Sequence, residues 1–180
     1  MSAPTLDATA TDTTTSRVAD DNPDATVKHH HGQHVEKSIV VDRSPDEVYA
    51  FWRNFTNLPI FMTHLKSVTE IGPGRTHWVA KGPAGTTQEW DAEVINEVTD
   101  QLIAWHSVAD ADVHNAGSVR FEPTGTGNAT NVTVELEYQP PAGALGVAVA
   151  WLFGEEPSQQ IDDDLKHLKN YLESGENPNN

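Results

Sequence analysis

The sequence predicts an α+β domain in which a curved antiparallel sheet of about seven strands wraps around one long C-terminal helix. Three observations predict it. One early strand is followed by two short helical segments. Six closely spaced segments with period-two alternation come next, separated by turns rich in Gly and Pro. The remaining apolar pattern, over 142–174, then changes to a helical period.

The elements follow in order. Residues 1–33 are Thr, Ala and Asp with almost no large apolar groups, too little burial to offset the entropy of ordering, so they are expected to form a disordered tail. The expected folded domain is 34–174, and 175–180 is expected to be a second disordered tail. Alternation over 36–41 predicts the first strand. Ser44-Pro45-Asp46-Glu47 then opens a helix: Ser44 can cap the free amides, Pro45 suits the first helical position, and Glu47 can reach back to complete a capping box. Val48, Tyr49, Phe51, Trp52 and Phe55 supply its apolar surface. Asn57-Leu58-Pro59 starts a second short helix, with Phe61, Met62 and Leu65 behind it.

Strands are predicted over 65–71, 76–81, 87–98, 102–108, 118–122 and 130–138. Gly72-Pro73-Gly74 and Gly82-Pro83-Ala84-Gly85 mark two of the turns between them. On 87–98, Trp90, Ala92 and Val94 share one face while Glu89, Asp91 and Glu93 share the other. On 130–138, Val132, Val134, Leu136 and Tyr138 point inward. This is an antiparallel meander with one wet face. Pro140-Pro141 stops the last strand. The helix over 142–174, bent near 154–157, sets Ile161, Leu165, Leu168 and Leu172 on one stripe, with Asp162, Asp163, Lys166 and Lys169 away from it. A curved sheet cannot close fully on one helix, and the gap between them is where a ligand pocket is expected.

Composition removes several functions. The net charge is −16, and residues 1–33 carry only −3 of it, five Asp against Arg17 and Lys28. The domain is therefore strongly acidic, which argues against nucleic acid and anionic membrane surfaces as partners. The absence of Cys removes disulfides, thiolate catalysis and Cys-based zinc sites. No export signal is visible, and the apolar run over 142–153 is too short to span a bilayer, so a soluble cytoplasmic protein is expected. His29-His30-His31 lies in the expected tail, close to His34 at the start of the expected domain, and the group is not assigned a metal. No phosphate loop or nucleophile elbow occurs, so neither a cofactor nor a catalytic set is expected.

Several segments resemble the START-like or Bet v 1-like superfamily, the helix-grip fold. These are Val35-Glu36-Lys37-Ser38-Ile39, Pro45 through Trp52, Asn57 through Met62, Glu89 through Glu93, Ile103-Ala104-Trp105 and Asn115 through Phe121. Within it the chain is similar to bacterial polyketide cyclase/dehydrase-type proteins, a group that includes coenzyme Q-binding relatives. The likeness spans 35–174. It implies a hydrophobic small molecule, lipid, isoprenoid or aromatic and polyketide-like, held between sheet and helix. It implies as an alternative a cyclase or dehydratase acting on a polyketide-like substrate. A third reading is an assembly partner with a filled core and no ligand. The oligomeric state is left open.

The alternation places Trp78, Trp90, Trp105 and Tyr138 on the concave face, with Phe121 beside them. Phe61 is expected at the entrance side and Trp151 on the long helix. His64, between the second helix and the meander, is expected at the rim. Arg120 alternates with Val119 and Phe121, and would anchor a ligand anion only if the register turned it inward. Asp91, Glu93 and Glu89 are assigned to the wet face.

An acid-rich, lysine-poor surface serves solubility in any solvent, and also suits a high-salt one. If it is a high-salt adaptation, the melting temperature should rise between dilute buffer and molar salt. An unchanged or lower value would leave solubility as its only role.

Overall fold

A computed structural model of the chain describes residues 33–82, 85–108, 111, 114–125, 128–138 and 157–179. The expected N-terminal tail up to residue 32, Trp151, and the part of the expected long helix over 142–156 lie outside the described residues.

Seven strands form one antiparallel sheet: β1 (Gln33–Val41), β2 (Leu65–Gly72), β3 (Arg75–Lys81), β4 (Thr87–Val98), β5 (Leu102–Ser107), β6 (Asn115–Pro123) and β7 (Thr130–Tyr138). Their spatial order is β1-β7-β6-β5-β4-β3-β2. From β2 to β7 this is the meander expected from the short turns. Gly74, with φ at 68°, makes the tight β2–β3 turn that a side chain would strain. β1 closes against β7 in unbroken register from Gln33↔Tyr138 to Val41↔Thr130. The sheet is covered on one face by α3 (Pro157–Ser174), and the architecture is the helix-grip arrangement.

Between β1 and β2 run α1 (Pro45–Arg53), a 3-10 turn (Phe55–Asn57) and α2 (Leu58–Phe61). The capping box forms: Glu47 accepts from the Ser44 backbone N–H at 3.1 Å and from the Ser44 hydroxyl at 2.9 Å. The buried face of α1 carries Val48, Tyr49 and Trp52. Its polar edge is tied to the far end of β4, where Glu97 accepts from the Tyr49 hydroxyl and from Arg53 Nε, the latter at 2.7 Å. Burial, then that bond to a carboxylate, pushes the Tyr49 hydroxyl up to about 12.

Alternation holds along the strands. Thr76, Trp78 and Ala80 are buried on β3, Trp90 and Ala92 on β4, and Val132, Val134, Leu136 and Tyr138 on β7. The acidic residues fall outward, where His77 meets Asp91 at 2.7 Å and His106 meets Glu93 at 2.7 Å. α3 buries Ile161, Leu165 and Leu168, and its C-terminal half is fastened at both sides. Lys169 Nζ donates to the Val40 carbonyl at 2.7 Å, and Glu173 accepts from the Asp42 N–H at 2.7 Å. His167 Nδ1 lies 3.2 Å from the Phe61 carbonyl. Beyond Gly175, Asn179 Nδ2 donates to the carbonyls of Pro59 and Ile60 at 3.1 and 3.0 Å.

The Ser44→Ala change should cost about 1 kcal/mol, the usual worth of an N-cap. The expected result is a lowered urea midpoint with an unchanged slope.

Candidate functional site

The described residues enclose a cavity of about 70 Å³ between the concave face of the sheet and α3, closed at one end by α1 and α2. Its walls are rich in rings. Trp78 and Trp90 are direct partners across β3 and β4, stacked with centroids 5.7 Å apart and planes 18° from parallel. Trp78 Nε1 donates to Thr76 Oγ1 at 2.8 Å, which satisfies its one polar atom and lets the ring be buried. Trp105 on β5 sits opposite Gly117 on β6. A Cβ at Gly117 would stand 2.6 Å from Trp105 Cζ2 and 2.9 Å from the Glu135 carbonyl, so the missing side chain makes room for the indole. Phe61, packed 5.2 Å from Trp52, closes the helical end, and Ile161 and Leu165 of α3 form the roof.

Three polar side chains interrupt these walls: His64, Asn115 and Asp164. His64 follows α2, and its Nδ1 lies 3.4 Å from Asp164 Oδ2 on α3. The Asp164 carboxylate accepts from Gln160 Nε2 at 2.8 Å and from the Thr63 backbone. Burial pushes the Asp164 carboxyl up to about 7, with Asp163 adding to it and the two hydrogen bonds opposing. Burial pulls the His64 imidazole down to about 4, helped by repulsion from the Lys81 ammonium. Both shifts have one cause. Apolar walls penalise charge, so between about pH 4 and 7 the pair holds one proton, on the carboxyl, beside a neutral imidazole.

Five of the residues singled out from sequence meet in this cavity: Phe61, His64, Trp78, Trp90 and Trp105. Phe61 is fully buried in the wall and not at an entrance. His64 is likewise drawn in, its side chain 15% exposed, because Asp164 reaches toward it from the roof. Phe121 and Tyr138 face inward but are not in the cavity wall. Phe121 packs edge-on against Tyr49 and Trp52, with centroids at 5.7 and 6.2 Å, in the solid part of the core. Tyr138 is buried at the end of β7. Arg120 is a correction: β6 turns it outward between Val119 and Phe121, where its Nε lies 4.0 Å from Glu135. Trp151 lies outside the described residues.

Asp164 and Asn115 escaped the sequence reading. Asp164 stands three residues after Ile161, on the apolar stripe, but ends an Asp162-Asp163-Asp164 run that reads as a solvated face. Asn115 opens β6 three residues before the strand was expected to begin. Among the described residues no group of three or more His, Asp or Glu is placed to hold a metal ion, and no helix is long and apolar enough to cross a membrane.

A family model described as polyketide cyclase/dehydrase and lipid transport matches residues 41–166. The crystal structure of DR_A0006 from Deinococcus radiodurans is similar at 33% identity with a TM-score of 0.65, covering 80% of this chain and all of that one (100%). An uncharacterised 17.2 kDa protein of Streptomyces lincolnensis is 27% identical over 139 residues, which is 77% of this chain and 89% of the relative. Zhui aromatase/cyclase from Streptomyces sp. R1128 shares the fold at 18% identity, with a TM-score of 0.57 over 82% of this chain and 99% of its own.

The pair makes a pH prediction with opposed signs. The raised Asp164 value means the folded state binds more protons than the unfolded one from about pH 4 to 7, so its contribution is lost as pH rises. The lowered His64 value means the unfolded state binds more protons from about pH 6.5 down to 4, so its contribution is lost as pH falls. In the overlap the two cancel. Relative to the unmutated protein, Asp164→Asn should therefore gain stability as pH rises, and His64→Gln should gain as it falls. Each slope should approach roughly 1.4 kcal/mol per pH unit. Urea unfolding at several pH values checks this, and parallel curves for all three proteins would refute the buried neutral pair.

Proposed function

The chain belongs to the polyketide cyclase/dehydrase and lipid-transport family, and from that premise we propose that it binds a compact, neutral, hydrophobic or aromatic molecule between the sheet and α3. The observation that carries this reading is the ring-lined cavity itself. Among the described residues seven strands and three helices bury a continuous core, and one region of it, walled by four tryptophans, remains unfilled. Protein interiors otherwise pack to crystal density, so an unfilled apolar space sacrifices contacts that a ligand restores.

Size narrows the class. About 70 Å³ is less than half of the roughly 150 Å³ void that accepts benzene in an engineered core. A single ring or a short chain fits with modest displacement of the walls. An extended lipid or fused polycycle demands more. The lipid, isoprenoid and polyketide options inherited from the family are ordered by that requirement, compact aromatic first.

A specific observation favours a second reading, an enzyme of the cyclase or dehydratase type. A carrier needs no titratable group in its pocket, and His64 with Asp164 supplies two whose proton affinities are displaced in opposite directions. Zhui, which shares the fold, is an aromatase/cyclase. In this reading the neutral imidazole accepts a proton and the carboxyl donates one.

Native mass spectrometry of the purified protein, followed by denaturing extraction, tests both. A stoichiometric neutral guest released unchanged supports the carrier, and a guest converted on incubation supports the enzyme. An empty protein that apolar probes do not stabilise overturns both readings. Trp90→Leu should weaken guest binding by about tenfold or more while the fold persists.

A further inference from the structure

Among the described residues, the cavity wall holds a polar atom whose bonding the fold leaves undone, in Asn115. Asn115 opens β6 and stands in its inward column with Gly117, Val119 and Phe121. Its backbone is fixed: the N–H donates to Ser107 Oγ at 3.1 Å, and the residue pairs with Tyr138 on β7. The side chain lines the cavity, and the residue is only 8% exposed. Its carboxamide Nδ2 has no hydrogen-bond partner among the described residues. Buried amide donors are almost always bonded, because an unbonded one forfeits its hydration with nothing in return. A nitrogen that can only donate calls for an acceptor, and no described residue places one within hydrogen-bonding distance of it.

Resting on the binding reading above, we infer that Asn115 is a specificity-determining residue that donates through Nδ2 to an oxygen of the ligand, and that the ligand class is a compact ring bearing a carbonyl. Such a site discriminates by the penalty it imposes on the wrong guest. A hydrocarbon of the same shape fills the aromatic space but leaves the donor unpaired, whereas a ketone satisfies it. The aromatic walls then supply affinity and Asn115 supplies orientation, directing the oxygen toward the β6–β7 side of the cavity.

The test uses two probes that differ only in that atom, acetophenone and α-methylstyrene, on the full chain and on Asn115→Leu, which keeps the volume and removes the donor. Binding is read by tryptophan fluorescence and folding by thermal melting. The expected result is that both probes bind the unmutated protein. Asn115→Leu then weakens acetophenone about tenfold, the scale of one lost hydrogen bond, and leaves α-methylstyrene within twofold. Equal loss for both probes, or no loss for either, overturns the role of Asn115 while leaving the cavity reading intact. No binding of either probe to the unmutated protein overturns both. If Asn115→Leu does not fold, Asn115→Ala carries the same comparison, with the same ratio between probes deciding it.

Discussion

The cavity depends on one constraint of connectivity: β1 and β2 follow one another in sequence yet form opposite edges of the sheet. The chain between them must cross the open end of a curved sheet, and it does so as α1, the 3-10 turn and α2. This crossing brings Trp52, Phe55 and Phe61 to the end of the curve that it closes, where they line the cavity together with the strand tryptophans. It also brings His64 to the point where the chain re-enters the sheet, underneath α3. Were β2 to pair with β1 as a hairpin, the same residues would lie along an edge and the end of the sheet would stay open. The helical crossing is in turn fixed by polar bonds at its rim, with the capping box at its start and the Tyr49–Glu97–Arg53 cluster across the sheet. These bonds sit where water remains available, while the apolar face of α1 points inward.

Against that apolar background, placing a carboxyl on the buried stripe of α3 is costly unless its charge is avoided. Gln160, one turn earlier, and the Thr63 backbone supply hydrogen bonds, yet burial outweighs them. The site thus keeps a polar pair by keeping it uncharged. A neutral pair is cheaper to bury than an ion pair in the same walls. It also keeps a proton donor and a proton acceptor side by side between about pH 4 and 7.

Much of the fold was legible in the sequence because sheet formation writes itself at period two. The acidic residues of β4 and β7 mark the wet face, and Trp78, Trp90 and Trp105 mark the dry one. The capping box was legible for the same local reason. What the sequence hides depends on context from several elements at once. Arg120 and Phe121 are neighbours, and one step of register decides which is inside. Phe121 does face inward, but α1 fills the space in front of it, a fact of tertiary packing that no strand pattern contains. Asp164 has the spacing of a core residue and the chemistry of a surface one, and the preceding acids make the surface reading look natural. Asn115 precedes any clear alternation in β6, so nothing local marks it as inward.

The acidity of the domain connects to the chemistry of the cavity. The outer face of the sheet carries Glu89, Asp91, Glu93 and Glu135, only partly balanced by His77, His106 and Arg120. With a net charge of −16, the protein surrounds its cavity with a potential that repels anions. Inside, the lowered proton affinity of His64 leaves the basic residue of the described cavity wall uncharged, and Arg120 is turned outward toward Glu135. An anionic guest would enter against the long-range field and find no counter-ion among the described walls. A neutral guest meets neither obstacle. Under the binding reading proposed above, the charge of the surface and the neutrality of the interior favour the same kind of molecule, from outside by repulsion and from inside by the absence of compensation.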